Sequence, residues 1–361
     1  MTATDFIPAD YQSLPASGQF TWSAPSNIAL VKYWGKKPHQ IPANPSISFT
    51  LQACKTITSL QFAQKNADGK TSFDLLFEGQ PKPDFKPKIE KFLARVEPYL
   101  PFLKNYHLAI DTRNTFPHSS GIASSASGMA ALAMNLMSLE RLMAPDMTDD
   151  YFYRKASFLA RLGSGSACRS VRGAVVVWGE NDAIAGSSDE FGVAFPHQIH
   201  SDFAKYQDTI LLVDKGEKTV SSTLGHELMH GHPYGQVRFA QAHRHLARIS
   251  DILRNGDLDA FVNIVESEAL TLHAMMMTSM PYFMLMKPDT LEIIRKITLF
   301  RNDTGIPVCF TLDAGANVHV LYPENVKETV LHFIEAELAQ HCQNKQFICD
   351  EMGAGSVLIS N

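Results

Sequence analysis

One stretch constrains this chain more than any other. Phe116-Pro-His-Ser-Ser-Gly-Ile-Ala-Ser-Ser-Ala-Ser127 is a proline-led, serine-rich loop that runs straight into an apolar segment. Met129, Leu132, Ala133, Leu136 and Leu139 recur there at helical spacing, and the remaining faces are mostly Ala and Met, which predicts a helix buried nearly all round. Such a helix is held rigidly, and its free N–H groups, at the positive end of its dipole, point where the core aims them. Pro117 and Gly121 allow a tight turn before it, and Ser124, Ser125 and Ser127 add hydroxyls, so the loop suits an anion such as phosphate. The same residues also suit an ordinary serine cap on a core helix. The loop has neither the Gly-Lys-Ser/Thr ending of a Walker loop nor the G-x-G-x-x-G spacing of a dinucleotide site.

Length and charge narrow the ligand. A chain of 361 residues with 45% apolar content can bury a full core in one large domain or two. It contains no apolar run of about 18 residues. Its start, Met-Thr-Ala-Thr-Asp, lacks the features of a signal peptide, so a cytoplasmic protein without a membrane span is expected. The five cysteines (Cys54, Cys168, Cys309, Cys342, Cys349) are scattered without a C-x-x-C pair, which argues against a disulfide framework or zinc knuckle. A net charge of −5 gives no general attraction for nucleic acid, so a small phosphorylated substrate held by a local cluster fits better.

Read in order, the chain predicts an α+β fold. A loose lead-in of about 19 residues precedes a strand-like run, Ser23 to Lys37, ending in Lys32, Tyr33, Trp34, Lys36 and Lys37. Strands follow at Ile47–Ala53, Thr56–Gln64 and Ser72–Glu78, the last two joined by a turn at Asn66-Ala-Asp-Gly69. A basic amphipathic helix over Asp84–Val96 and a strand over Tyr106–Thr112 lead to the serine loop. A helix over Asp149–Leu162 and a strand over Val171–Trp178 come next, and residues 179–205 read as a domain change. Beyond it lie a strand (Asp208–Asp214), helices over Pro233–Arg254, Leu258–Met276 and Pro288–Asn302, strands around Val308–Leu312 and Val318–Tyr322, a helix over Glu324–Gln340 and a terminal pair of strands. The methionine-rich stretch Leu270–Met286 reads as core or cleft lining.

Two further segments carry chemistry. Gly163-Ser-Gly-Ser-Ala-Cys-Arg-Ser170 combines hydroxyls with a guanidinium that can fork onto a carboxylate or phosphate, although it also reads as a small-residue turn. Thr311-Leu-Asp-Ala-Gly-Ala-Asn317 places Asp313 at a strand end, where aspartate is most often a turn residue. A third pattern, His226-Glu-Leu-Met-His230, fits the H-E-x-x-H of zinc peptidases, with Glu266 or Glu268 as conceivable third ligands. Gly225 before it and Gly231-His-Pro233 after it leave barely two turns of helix, which weakens that reading.

Four of these motifs, in order, carry a resemblance. The serine loop resembles the Pro-x3-Gly-Leu-x-Ser-Ser-Ala phosphate loop of the GHMP kinase superfamily. Asn27-Ile-Ala-Leu-Val-Lys-Tyr-Trp-Gly-Lys36, the glycine-serine octapeptide and Asp313-Ala-Gly-Ala-Asn317 resemble signatures of its diphosphomevalonate decarboxylase family. The resemblance implies two lobes, residues 20–190 like the second domain of ribosomal protein S5 and residues 200–361 like a split βαβ sandwich. It implies ATP-dependent decarboxylation of mevalonate 5-diphosphate to isopentenyl diphosphate through a 3-phosphorylated intermediate, in isoprenoid synthesis, by a homodimer. Asp313, Arg169 and Lys36 become the catalytic residues it implies, and Lys32, Tyr33, Lys36, Ser164, Ser166, Arg169 and Ser222 the substrate-binding ones. Pro117, Gly121, Ser124, Ser125 and Ser127 would cradle ATP with Mg2+, the ion touching Ser125. One departure stands out: where the family commonly reads Ser-Ser-Arg, this chain has Val220-Ser-Ser-Thr223. With that arginine gone, Lys218, His226 and His230 are nearby candidates for its charge, and a decarboxylase or 3-kinase acting on mevalonate 5-phosphate or mevalonate is the alternative. A non-catalytic binder of phosphorylated ligands is a further one.

Overall fold

The computed structural model describes residues 1–9, 11, 13–65, 69–117, 122–216 and 222–360, without the side chains of Ser222 and Thr223. The expected turn at 66–68, Gly121, Lys218, the Val220–Ser221 stretch and the hydroxyl of Ser222 therefore lie outside the described residues.

The first sheet is built on two long strands, β1 (Ser17–Val31) and β2 (Ser46–Gln64), paired antiparallel. The sequence reading divided β2 at residues 54–55, but the structure continues it through a bend, where β2 changes partner. Its first part pairs with a later strand, Val175–Trp178, and its second with Tyr106–Asn114. At the bend Asp350 accepts the N–H groups of Gln52, Ala53 and Cys54 at 2.9, 2.7 and 2.7 Å. Ladder donors freed by the bend are thus satisfied from the second sheet. β3 (Ser72–Phe77) is not hairpinned to β2: it lies parallel to the Tyr106–Asn114 strand, which separates the two.

Against this sheet pack α1 (Lys86–Val96), α2 (Ser124–Met143) and α3 (Asp149–Gly163). Nearly every residue of α2 from Ala126 to Glu140 is buried, as its all-round apolar pattern requires. The lead-in is less loose than its composition suggests, because Phe6 is fully buried against Phe158 and Phe191.

The second sheet is antiparallel, in the order Phe347–Glu351, Gln207–Leu211, Val318–Tyr322, Cys309–Thr311. The helix α4 (Ser222–Glu227) precedes α5 (Gly235–Asn255) and α6 (Leu258–Met277), which lie between the sheets. There Leu246, Ile249 and Phe261 meet Ile28, Leu30 and Phe49 of the first sheet in one core. Each such side chain contributes about 1.5–3 kcal/mol when fully buried, so the lobes are joined by packing as well as by the chain. The C-terminal strands are not a pair: Phe347–Glu351 joins the second sheet, whereas Val357–Ser360 returns to β1. Among the described residues no helix is long and apolar enough to cross a membrane.

Candidate active site

β1 ends at Val31, and the next residue, Lys32, is buried with its ammonium 3.1 Å from Asp313 Oδ1. Asp313 belongs to the joint between the strands Cys309–Thr311 and Val318–Tyr322, and its carboxylate remains 33% exposed beside a lysine side chain only 2% exposed. Three contacts pin that joint. His273 Nε2 meets Asp313 O at 3.1 Å, Thr290 Oγ1 donates to Ala316 O at 2.7 Å, and Asn317 Oδ1 accepts Asp214 N–H at 2.9 Å. Burial pulls the Lys32 ammonium below its ordinary pKa, while the Asp313 and Glu268 carboxylates oppose that pull. Its ammonium therefore stands on the aspartate, not on the exposed face where a phosphate contact would be expected.

The glycine-serine segment forms a short 3-10 turn after α3, Gly165–Ser170. Arg169 is buried; its Nη1 donates to Ser46 Oγ at 2.5 Å, its Nε faces Asn27 Oδ1 at 3.4 Å, and its guanidinium lies 5.8 Å from the Trp178 ring. Ser164 and Ser166 are half-buried at the head of the turn, and Ser166 O accepts from Asn27 Nδ2. Gly165 is required for contact: a Cβ there would sit 2.9 Å from the Tyr33 hydroxyl and 3.0 Å from Trp178. That contact brings Tyr33 against the turn, joining two motifs that the sequence separates by more than a hundred residues. Cys168 is inert, since burial pushes its thiol up to about 12.

At the serine loop, Ala123 adopts a left-handed conformation (φ 43°) and α2 begins at Ser124. Ser124 is half-buried and Ser125 exposed, so both hydroxyls are available at the helix start. Ser127 is not: it is fully buried, bonded to Thr56 Oγ1 at 2.6 Å and to Ser124 O at 3.3 Å. Its position within the first turn rotates it onto β2, away from the loop. Pro117 immediately precedes residues outside the description.

Sequence reasoning read α1 as a basic amphipathic helix but gave it no role. Lys88 Nζ donates to Ser125 Oγ at 2.5 Å, placing a cation at the serine loop. Beside it opens a cleft of about 120 Å³ lined by Leu75, Phe77, Phe85, Ile89, Ser124 and Ser125. Farther along α1, Arg95 Nη1 donates to Leu162 O at 2.7 Å, next to the glycine-serine segment. Burial lowers the pKa of half-buried Lys36, Glu227 opposes this, and Arg95 and Lys91 lower it further. The recurrence of Lys88, Lys91 and Arg95 along one helix was the available signal.

His226 does not supply the missing charge. Its ring lies against Tyr33 (centroids 4.3 Å) and Trp34 (4.7 Å), and its Nδ1 accepts the Gly35 N–H at 3.0 Å. Burial, with Lys36 and Arg169, lowers its pKa to about 3, so it is neutral near pH 6.5. Nor do these residues form a zinc peptidase site. α4 ends at Glu227, His230 lies in the turn beyond, and among the described residues no group of three His, Cys, Asp or Glu can hold a metal ion. Glu266 and Glu268 are instead paired with Arg301 and Arg238.

The pKa of His273 is likewise lowered by burial, to about 4. Unfolded histidines take up a proton near pH 6.5, whereas His226 and His273 resist it in the fold. The stability they contribute is complete above the unfolded value and is lost as pH falls from about 6.5 toward their folded values. Thermal unfolding at pH 7.5 and pH 5 is expected to show a lower midpoint at pH 5. His226→Gln and His273→Gln should each reduce that difference.

A buried helix headed by serines and a lysine–aspartate pair, set in a two-lobed α+β fold, are the marks of a GHMP-kinase-like enzyme. A model described as the diphosphomevalonate decarboxylase-like N-terminal domain matches residues 24–190, and the mevalonate 5-diphosphate decarboxylase C-terminal domain matches residues 209–357. The diphosphomevalonate decarboxylase of Ganoderma lucidum is 32% identical over 86% of this chain and 80% of its own, and that of Saccharomyces cerevisiae 30% identical over 86% and 80%. The crystal structure of mevalonate diphosphate decarboxylase from Staphylococcus aureus superposes with a TM-score of 0.81 at 27% identity, covering 95% of this chain and 98% of that one. A structure described as a complex with MVAPP, AMPPCP and magnesium gives 0.80 at 28% identity, covering 96% and 100%. This chain belongs to the diphosphomevalonate decarboxylase family.

Proposed function

We propose that this chain converts mevalonate 5-diphosphate and ATP into isopentenyl diphosphate, ADP, phosphate and carbon dioxide. The observation that carries this reading is the Lys32–Asp313 pair, buried on the lysine side and open on the carboxylate side. A 3-hydroxy acid has no electron sink for decarboxylation, and hydroxide is a poor leaving group. Phosphorylation of the 3-hydroxyl changes that: loss of carbon dioxide then leaves an electron pair that forms the double bond as phosphate departs.

In this reading Asp313 accepts the 3-hydroxyl proton while Lys32 holds its carboxylate in place. Arg169 grips the substrate carboxylate, with Ser164 and Ser166 on its remaining oxygens. The α2 N-terminus, Ser124, Ser125 and Lys88 receive the ATP phosphates, and the apolar cleft beside them takes the base. The hydroxyls at this loop suit an ion carried mainly on phosphate oxygens, as Mg2+ usually is, with Ser125 as the protein ligand. Bound there, Mg2+ supplies charge compensation for those oxygens. Tyr33 and Lys36 meet the 5-phosphates, Ser222 completes that side, and the two lobes, residues 20–190 and 200–361, work as a homodimer in the cytoplasm.

The cation absent at Thr223 is replaced from α1. Arg95 stands at the glycine-serine segment, and Lys91 and Arg95 both act on Lys36. A charge-assisted bond to phosphate is worth about 1.5–3 kcal/mol, or roughly ten- to a hundredfold in affinity. Carbon dioxide release and ADP formation, measured side by side with mevalonate 5-diphosphate, the monophosphate and mevalonate, are expected to favour the diphosphate. Arg95→Met should reduce that preference. A higher kcat/KM for the monophosphate would refute the substrate, ADP without carbon dioxide would make the protein a 3-kinase, and ATP binding with neither product would make it a binder.

A further inference from the structure

Lys32 is held at both ends of its peptide by a charged cluster outside the substrate contacts. Glu268, in the middle of α6, is fully buried, and its Oε2 accepts the Lys32 N–H at 2.9 Å. Arg238 of α5 forks onto the same carboxylate, Nη1 to Oε1 at 3.2 Å and Nη2 to Oε2 at 2.6 Å. The same Nη2 donates to Lys32 O at 2.9 Å, so one arginine–glutamate pair grips both polar groups of that residue. Gln241 and His245, also on α5, close the remaining side of Oε1 at 3.2 and 2.7 Å. Five residues along α6, His273 meets the carbonyl of Asp313. A single helix thus carries one contact to each member of the lysine–aspartate pair.

An apolar core would hold α5 against α6 without this cluster. Desolvating an arginine and a glutamate costs several kcal/mol per ion, and hydrophobic residues of similar volume are often as stable or more so. What the cluster adds is direction. β1 ends at Val31, so beyond it the chain has no sheet ladder to orient Lys32; the Glu268–Arg238 grip replaces it, joined at the Lys32 carbonyl by Asn44 Nδ2 at 2.9 Å. Burial pushes the Glu268 carboxyl up, but His245, Arg238 and the Lys32 N–H together outweigh it and hold it below its ordinary value. The charged and titratable groups facing it are Arg238 and His245 from α5, Lys32 after β1 and, through Lys32, Asp313.

We propose that Glu268, acting with Arg238, is a positioning residue that sets the Lys32 ammonium against Asp313, with α6 as the common support for both. The proposal rests on the reading of Asp313 as the group that meets the 3-hydroxyl.

Glu268→Gln is compared with Arg238→Lys, which keeps the buried charge but loses the fork. The double variant E268Q/R238M leaves no unpaired charge. In each, kcat for carbon dioxide release is expected to fall about ten- to a hundredfold, as misplacement of a reacting group by about 1 Å does. The KM for ATP should stay within about twofold, and the acid limb of the kcat–pH profile should move, because the Lys32–Asp313 contact has changed. Parent-like kcat and pH profile in Arg238→Lys, or a fall in kcat that only tracks thermal midpoint and leaves the acid limb in place, would overturn the proposal. Asp313→Asn, run alongside, separates the two layers. If that variant keeps full activity the assignment of Asp313 fails. If it is inactive while the clamp variants turn over normally, only the positioning role fails.

Discussion

Asp313→Asn is expected to fold, to bind ATP as the parent does, and to lose about two to four orders of magnitude in turnover, the range for removing a general base. The substitution is nearly isosteric, and the joint carrying it is pinned by His273, Thr290 and Asn317, none of which uses the Asp313 carboxylate. Its cost to the fold should therefore be small, even though the Lys32 ammonium loses its counter-charge at 3.1 Å and keeps only an amide oxygen there. Rapid-quench measurement of ADP and carbon dioxide with the purified variant, beside ATP titration, gives both halves of the result. Near-normal carbon dioxide release would remove Asp313 from the mechanism.

The second large effect concerns Arg169. Arg169→Met should abolish productive binding of the phosphorylated acid while leaving ATP affinity largely intact, because the α2 N-terminus and the Gly165–Ser170 turn are separate elements, proposed above to take different anions. Methionine fills much of the buried stem that now lies near Trp178, so the loss should be of charge and fork more than of packing. Arg169→Lys is the useful comparison. A lysine keeps the charge but cannot reach Ser46 and the substrate in one planar arrangement, so most of the loss should persist. Separate calorimetric titrations of ATP and substrate decide the matter, and collapse of ATP binding alone would reverse the assignment of the two loops.

These expectations draw unequally on sequence and structure. α2 was legible because all-round apolar periodicity leaves a helix only the core to occupy, and Ser124 and Ser125 at its head follow from where that pattern begins. Ser127 was not legible in this way: a list of hydroxyls carries no angle, and one turn of helix sends this one into Thr56. The bend in β2 looked like a strand end, since a strand that changes partner has no local signature when the donors freed there are met by Asp350, 296 to 298 residues away. Phe6, in an unpatterned lead-in, belonged to the core because aromatic residues of other elements left room for it.

The sequence by itself determined the chemical kit: a serine loop on a rigid helix, a guanidinium among serines, an aspartate between two strands and lysines after another. Each is a short segment whose residue types and spacing are sufficient to read. Only the tertiary structure decided which of these meet. Lys32 and Asp313 lie 281 residues apart, and their contact depends on two sheets packing through α5 and α6. It also decided that His226 is neutral and packed against Tyr33 and Trp34, that α1 brings Lys88 to Ser125, and that Glu268 grips Lys32. The physical reason is common to all of these: hydrogen bonds and ion pairs act over about 3 Å, a distance set between elements by the packing of the whole chain.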